Sequence, residues 1–258
     1  MRYREAVFAA SLYLLHKIYA TTQEWNPYVT GSGSEEYHMN LLADALIPYL
    51  VSNGIQYKRN RPEMTASSSI REANQDYYDF YLALHSNAAP EGRYGEERGI
   101  IAFYYPGSAQ GQRAAELIAE ELRKIYPLPN KVTTRSTTTL GEVRQSNAPA
   151  VLVEIGYHDN YSDAQWLEGH KDAIAQQLAR ALTEFFGLPF IYPTDPINGT
   201  VAVNYGTLNL RSYPAPTGKV IANMPNGAEL TVYGEWQGWY VVHYNGQVGY
   251  AAAAFIDT

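Results

Sequence analysis

The chain has 258 residues, 46% of them hydrophobic, and a formal net charge of −7. This length accommodates one large domain, or one medium and one small domain, with enough apolar side chains for packed cores. The acidic balance argues against a nucleic-acid partner, and no apolar stretch approaches the length of a membrane span. Cysteine does not occur in the sequence, so disulfides contribute nothing to stability.

The amino terminus has some features of a signal peptide. Arg2 and Arg4 precede a short apolar stretch over residues 6–15, the order found in cleaved leaders. Glu5 interrupts that pattern, and no small-residue cleavage site follows it. We therefore expect residues 1–16 to be an N-terminal extension, as an extra helix, an edge element or an appended remnant, rather than a leader.

The segment up to residue 187 alternates short apolar runs with amphipathic stretches. Strands are expected over 17–22, 55–58 and 99–105 and in the runs that begin at Phe80 and Ala150. Helices are expected after the capping-box pattern Ser32-Gly-Ser-Glu35, over 67–75 and 112–126, and over 162–186 with a break near Gly169. This alternation predicts an α/β three-layer domain with a mostly parallel sheet over residues 1–187.

The composition changes after residue 187. Residues 188–199 contain three prolines and no helical period, which is typical of a linker. Residues 200–258 contain short apolar runs separated by Gly, Pro and Asn, with a hairpin signal at Asn245-Gly246. This part of the chain is predicted to be a small all-β barrel of about 55 to 60 residues, a size that can just fold alone.

Two of the predicted strands end in polar residues. His85, Ser86 and Asn87 follow the apolar run from Phe80, and Glu154 interrupts the run from Ala150. Ligands of open α/β sheets bind beyond the carboxyl ends of the strands, and an ionised glutamate is rarely buried without a partner. If the two strands are neighbours, His85 and Glu154 face one another in a functional site.

Four motifs in this segment together resemble a known family. They are Glu36-x-x-x-Asn40, Arg71-Glu-Ala-Asn74, Leu84-His-Ser-Asn-Ala88, and Pro149-Ala-Val-Leu-Val-Glu-Ile-Gly156 with Asn160. In this order they resemble the zinc-dependent N-acetylmuramoyl-L-alanine amidases of the catalytic-glutamate type, which are bacterial and phage cell-wall hydrolases. The resemblance implies that Glu36 and His85 are zinc ligands and that Glu154 is the catalytic carboxylate.

Amide hydrolysis is compatible with these residue types. Zinc with three protein ligands and one open position activates water and stabilises an oxyanion, and a nearby carboxylate transfers the proton to the leaving nitrogen. Asn40 lies one helical turn after Glu36 and is expected to support that ligand. Arg144 is expected to pair with a substrate carboxylate or with Glu154, and Asn87 to contact substrate.

The third zinc ligand is a departure from the family pattern. The family usually carries a histidine in a Gly-His-Gly-Gly loop after the first strand, whereas the matching segment here, residues 20–26, contains none. The candidates to replace it are His158, then Glu24, then Gln23. The site is therefore expected to bind zinc through one of these residues, to bind it weakly, or to lack it, since an amide oxygen is a poor zinc ligand.

The carboxyl-terminal segment resembles a bacterial SH3-type domain. The resemblance runs through Leu208–Pro214, Glu235–Tyr240 and Gly246–Tyr250 and implies an anchor that binds peptidoglycan. Tyr213, Trp236 and Tyr250 are candidates for stacking on sugar or peptide. Trp239 and Tyr240 point to opposite sides of a strand, so one of them is expected in the core.

Three functional hypotheses fit these sequence features. The leading one is a peptidoglycan hydrolase that cleaves the bond between N-acetylmuramic acid and L-alanine with zinc-activated water and is held on the wall by the C-terminal domain. The alternatives are a catalytically inactive wall-binding protein and a zinc peptidase that cuts within the stem peptide. The expected location is the cell wall or the extracellular space, reached by phage delivery, mother-cell lysis or an unidentified export route.

Overall fold

The computed structural model describes residues 10–12, 27–60 and 64–258. The expected strand 17–22 and the candidate ligands Gln23 and Glu24 lie outside these residues. The helices are α1 (Glu35–Ser52), α2 (Ala66–Ala73), α3 (Ala109–Arg123), α4 (Gly141–Arg144), α5 (Tyr161–Gly169) and α6 (Lys171–Phe186). Within the described part of the chain, no helix is long and apolar enough to cross a bilayer.

The first domain contains one mixed sheet. Its strands are β1 (Ala10–Leu12), β2 (Phe80–Asn87), β3 (Ile100–Tyr104), β4 (Val132–Ser136) and β5 (Ala150–Tyr157). They lie in the order β1-β2-β5-β3-β4, and only the β3–β5 pair is antiparallel. The predicted mostly parallel sheet is therefore confirmed, and part of the expected N-terminal extension forms its edge strand.

Helices cover both faces of this sheet, which makes three layers. Phe80, Leu82 and Leu84 of β2 pack in a core with residues of α1, α3 and α6. Tyr81 and Ala83, which point to the other side of the strand, pack with residues of α2 and α4. Because α2 and α4 are short, the helical layer on this face is the thinner of the two. The candidate site lies on this face.

Helix α1 begins and ends through local hydrogen bonds. The Ser34 hydroxyl accepts a hydrogen bond from the Tyr37 N–H and caps the helix, which satisfies a donor that the first turn leaves unpaired. At the other end, the Ile55 N–H donates to the Leu50 carbonyl at 2.9 Å. This bond draws Ile55 back onto the helix. Within the described part of the chain, residues 55–58 form no named strand, and Gln56 forms a single β-bridge where a strand was expected.

Two further elements differ from expectation in their details. The polar, threonine-rich segment after α3 forms the edge strand β4, which is consistent with the preference of β-branched Thr for strands. The predicted helix 162–186 is interrupted at His170, between α5 and α6, close to the expected break at Gly169.

The second domain is an all-β sheet of seven strands. They are β6 (Ile197–Val201), β7 (Thr207–Arg211), β8 (Val220–Pro225), β9 (Glu229–Trp236), β10 (Trp239–Tyr244), β11 (Gln247–Ala252) and β12 (Ile256–Asp257), and every pairing among them is antiparallel. The expected SH3-like architecture is confirmed. The turn at Asn245-Gly246 joins β10 to β11, and both residues have positive φ, as a type I′ hairpin requires.

The segment between the domains is not a free linker. Leu188 and Ile191 are buried, and the Asn53 side chain at the end of α1 exchanges two hydrogen bonds with the Ile191 backbone, at 2.6 and 2.9 Å. Strand β6 begins at Ile197, within the expected linker 188–199. Burial and hydrogen bonding thus hold this segment against the first domain despite its proline content.

The two domains share a continuous core. Tyr250 is completely buried and belongs to the core cluster of the first domain, against which Trp236 and Trp239 pack. The expectation that Tyr250 stacks on a wall ligand is therefore corrected, because its ring covers the end of α1 instead. Tyr213 retains an exposure of 37%.

Candidate active site

The register between β2 and β5 brings His85 beside Glu154. The two residues are direct cross-strand partners at the carboxyl ends of parallel strands, as expected from the position of each in its apolar run. They lie on the face covered by α2 and α4, because each follows by two residues a side chain packed there, Ala83 and Leu152 respectively.

The imidazole of His85 lies between two buried carboxylates. Its Nδ1 is 3.0 Å from Oε1 of Glu35, and its Nε2 is 3.2 Å from Oε1 of Glu142. Glu35 is also held by the backbone, since the Ser86 N–H donates to the same oxygen at 3.1 Å. The site is thus assembled from α1, β2, α4 and β5.

In the structure, the residue of α1 that meets His85 is Glu35, the neighbour of the expected ligand Glu36. Successive residues of a helix are rotated by about 100°, so the two adjacent carboxylates point in different directions, and the role of Glu36 as a zinc ligand stays a prediction. The hydrogen bonds of the Asn40 side chain involve a backbone carbonyl and a guanidinium group. Its Nδ2 donates to the Glu36 carbonyl at 2.9 Å, and its Oδ1 accepts from Nη2 of Arg59 at 2.5 Å.

His158 was the first candidate for the missing ligand, and the structure gives it a different setting. Its Nδ1 lies 3.1 Å from the Ser86 hydroxyl and 3.0 Å from the Ser86 carbonyl. Its ring stacks on that of Tyr28, with centroids 5.7 Å apart. The side chain is buried, and these contacts engage it with the residue after His85 rather than with His85 itself.

The two residues expected at the substrate lie near the site in different settings. Arg144 is exposed at the end of α4, two residues after the buried Glu142. The Asn87 side chain accepts a hydrogen bond from the Ala88 N–H at 2.9 Å and so shapes the turn that follows β2.

Glu142 is the site residue that the sequence analysis missed. It sits in a four-residue helix, too short for a hydrophobic period to show which side is buried. The available signal was an acidic residue a few positions before the strand that contains Glu154.

Burial and the neighbouring charges alter the acidities of these groups. Burial raises the pKa of Glu154 to about 7; His85 opposes this rise, and Glu35 and Glu142 add to it. Burial alone would lower the pKa of His85, but Glu142 and Glu35 together raise it well above its ordinary value of 6.5. At neutral pH, without a metal ion, the site therefore favours an imidazolium between carboxylates.

The end of β5 is held by a second buried carboxylate, Asp163 of α5. One of its oxygens accepts from Arg98 Nε at 2.7 Å and from the Tyr126 hydroxyl at 2.6 Å. The other accepts the N–H groups of Gly99 and Tyr157 at 3.0 and 3.2 Å. These four bonds fix the chain just beyond Glu154 and thereby the direction of that strand.

The donor chemistry of the site fits a zinc ion. Imidazole nitrogen and carboxylate oxygen are zinc ligands, Glu35 and His85 already meet, and Glu154 Oε2 is buried without a hydrogen-bond partner among the described residues. Within residues 10–12, 27–60 and 64–258, no three His, Asp or Glu side chains are grouped to hold one ion. Among the described residues, Glu35 and His85 are thus a candidate pair of ligands.

Comparisons with known proteins agree with this fold. The family model described as N-acetylmuramoyl-L-alanine amidase matches residues 26–184, and the bacterial SH3 domain model matches residues 206–257. The germination-specific N-acetylmuramoyl-L-alanine amidase of Bacillus subtilis (strain 168) is 26% identical over 135 residues, which cover 50% of this chain and 54% of that protein. The N-acetylmuramoyl-L-alanine amidase CwlM of Bacillus licheniformis is 29% identical over 109 residues, or 42% of this chain and 39% of that one.

Solved structures show the same fold. N-acetylmuramoyl-L-alanine amidase AmiC2 of Nostoc punctiforme superposes with a TM-score of 0.60 at 17% identity, covering 71% of this chain and 99% of that one. The catalytic domain of the CD27L endolysin targeting Clostridia difficile gives a TM-score of 0.58 at 20% identity, and the match covers 69% of this chain and 97% of that one. Because the family model matches more than half of the residues of this chain, the chain belongs to the N-acetylmuramoyl-L-alanine amidase family.

Proposed function

We propose that this chain is a peptidoglycan amidase that hydrolyses the bond between N-acetylmuramic acid and L-alanine of the stem peptide, with zinc as its cofactor. The observation that carries the proposal is the meeting of Glu35, His85 and Glu154 at the carboxyl ends of β2 and β5. Family membership supports the reaction type, and the ligand chemistry of the pair supports the metal.

Each residue has a specific task in this proposal. Glu35 and His85 hold the ion, and a third ligand completes the set. Zinc bound there would polarise the scissile carbonyl and provide a nucleophilic water at neutral pH. Glu154, whose Oε2 is buried without a hydrogen-bond partner among the described residues, accepts a proton from the attacking water and returns it to the leaving nitrogen.

The SH3-type domain serves as the wall anchor in this proposal. Tethering raises the effective concentration of substrate bonds near the site without changing the chemistry. Since Tyr250 is buried at the domain junction, wall contact falls to other aromatic side chains, of which Tyr205 is 94% exposed and Phe255 is 48% exposed. The corresponding location is the cell wall or the extracellular space.

A digest of purified peptidoglycan tests the proposal. Wild-type protein supplied with zinc should release stem peptides that begin with a free L-alanine amine, identified by mass spectrometry. Fragments cut inside the stem would indicate a peptidase. Wall co-sedimentation without any cleavage would indicate an inactive wall-binding protein and would overturn the proposal.

A further inference from the structure

Glu142 has no task in the proposed mechanism, although the fold buries its carboxylate in the site. Only 7% of the residue is exposed, and its Oε1 lies 3.2 Å from Nε2 of His85. Burying a carboxylate is costly unless it is paired. A chain that gains nothing from this contact would be more stable with an apolar side chain at position 142.

The two carboxylates that contact His85 lie on opposite nitrogens of one ring. The lone pairs of Nδ1 and Nε2 point in divergent directions, so a single ion can bind only one of them. The nitrogen that does not bind the ion carries a proton and needs an acceptor, and in metal sites a carboxylate often fills that role and sets the ring orientation. Glu35 and Glu142 therefore have different tasks.

In the function proposed above, Glu35 and His85 share the ion, and this places the ion on the Nδ1 side, because Nδ1 is the ring nitrogen that faces Glu35, at 3.0 Å. Glu142 faces the other nitrogen, Nε2, at 3.2 Å. The Ser86 N–H further holds Glu35 in place.

We propose, on the basis of the function proposed above, that Glu142 is a positioning residue that accepts the Nε2 proton of His85 and thereby presents Nδ1 to the metal ion beside Glu35. Glu142 acts through His85 and does not touch the ion. It fixes one of two tautomers and one ring orientation, which the backbone of a strand end alone would leave free.

The test combines zinc affinity with NMR of ¹⁵N-histidine-labelled protein, and uses the variants Glu142→Ala and Glu142→Gln. Zinc affinity is measured by competition with a chromophoric chelator. The matched control is Glu121→Gln, since Glu121 has the same exposure of 7% but lies on α3 and pairs with Lys124. Circular dichroism and thermal unfolding verify that each variant is folded, and a His85→Asn spectrum assigns the His85 signals.

The expected result is that Glu142→Ala weakens zinc binding about 10- to 100-fold. Glu142→Gln, whose amide oxygen still accepts the Nε2 proton, should lose less, and Glu121→Gln should bind as wild type. In zinc-loaded wild type, Nδ1 should be the coordinated nitrogen and Nε2 should keep its proton. Coordination through Nε2, or losses of equal size in Gln and Ala, would make Glu142 a ligand and overturn the proposal.

Failure of the proposed function would look different. If wild type binds zinc through Nδ1 of His85 but releases no stem peptides from peptidoglycan, the proposed function fails while the positioning role of Glu142 stands. If wild type cleaves peptidoglycan but coordinates zinc through Nε2, the positioning role fails while the proposed function stands. If wild type binds no zinc, both proposals are overturned.

Discussion

The Tyr250 hydroxyl of the SH3-type domain donates a hydrogen bond to the Asn53 carbonyl at the end of α1, over 2.7 Å. The tyrosine is completely buried, and its ring lies so close to Gly54 that an added Cβ there would sit 2.8 Å from it. Gly54 also has a φ of +69°, which glycine adopts without strain. The SH3-type domain is thus joined, through a buried hydrogen bond and close ring packing, to the helix whose first turn carries Glu35.

Tyr250→Phe should weaken this junction. The substitution leaves the buried Asn53 carbonyl without its donor, and an unsatisfied buried acceptor costs about 1–3 kcal/mol. Urea unfolding followed by tryptophan fluorescence should show a loss of that size in the free energy of unfolding. The control is Tyr205→Phe, at an exposed position, which should change it by less than about 0.5 kcal/mol. Equal losses in the free energy of unfolding for the two variants would show that the Tyr250 hydrogen bond does not stabilise the junction.

Glu35→Gln and Glu36→Gln form a matched pair at adjacent positions. Of these two residues, Glu35 is the one seen in contact with His85. Glu35→Gln should therefore lose zinc affinity by at least about tenfold, since an amide oxygen is a poorer zinc ligand than a carboxylate. Glu36→Gln should bind zinc as wild type does. Zinc content after dialysis against a metal buffer measures both, and a greater loss in Glu36→Gln would restore the position expected from the sequence motif.

Glu154→Gln should separate catalysis from wall binding. The amide cannot take up and return a proton, and general acid–base catalysis contributes about 10²- to 10⁴-fold, so kcat/KM on purified peptidoglycan should fall by that factor. Co-sedimentation with the wall should remain unchanged, because the SH3-type domain is untouched. Activity within threefold of wild type would remove Glu154 from the mechanism.

Asp163→Asn should destabilise the whole first domain. Removing one charge of a buried ion pair typically costs about 3–5 kcal/mol, and Asp163 accepts four hydrogen bonds with no exposed surface. Thermal unfolding should show the loss as a lowered Tm. As a control, Arg93→Gln breaks exposed ion pairs with Glu96 and Glu97 and should leave Tm nearly unchanged.

The metal-free protein should become less stable as the pH rises above neutral. The two carboxylates raise the pKa of folded His85 well above 6.5, so in this range the native state binds more protons than the unfolded state, and stability falls with pH by up to about 1.4 kcal/mol per pH unit. Two other groups titrate mainly at lower pH. The pKa of Glu154 is about 7, and burial lowers the pKa of His38 to about 4.

Chemical denaturation in the presence of a chelator at several pH values measures this slope. Glu142→Gln removes one of the two charges that hold the proton on His85, so it should flatten the dependence. A slope of zero in wild type would show that the imidazole is not held as an imidazolium.

Much of the architecture followed from the order of residues. The apolar runs that begin at Phe80 and Ala150 identified the central strands, and the polar residues that end them identified His85 and Glu154. These features are local, because the types of a few consecutive residues indicate both a buried strand and the polar residues at its end. The same holds for the SH3-type domain, where turn residues and hairpin signals mark the strands.

Which neighbours reach His85 was a matter of tertiary structure. The choice between Glu35 and Glu36 depends on the rotation of α1 against the sheet, and the approach of Glu142 depends on how a short helix packs over β2 and β5. The domain junction likewise arises from Tyr250 contacting Asn53, 197 residues away in the chain. Side-chain direction across such distances is decided by packing, so no local pattern in the sequence reports it.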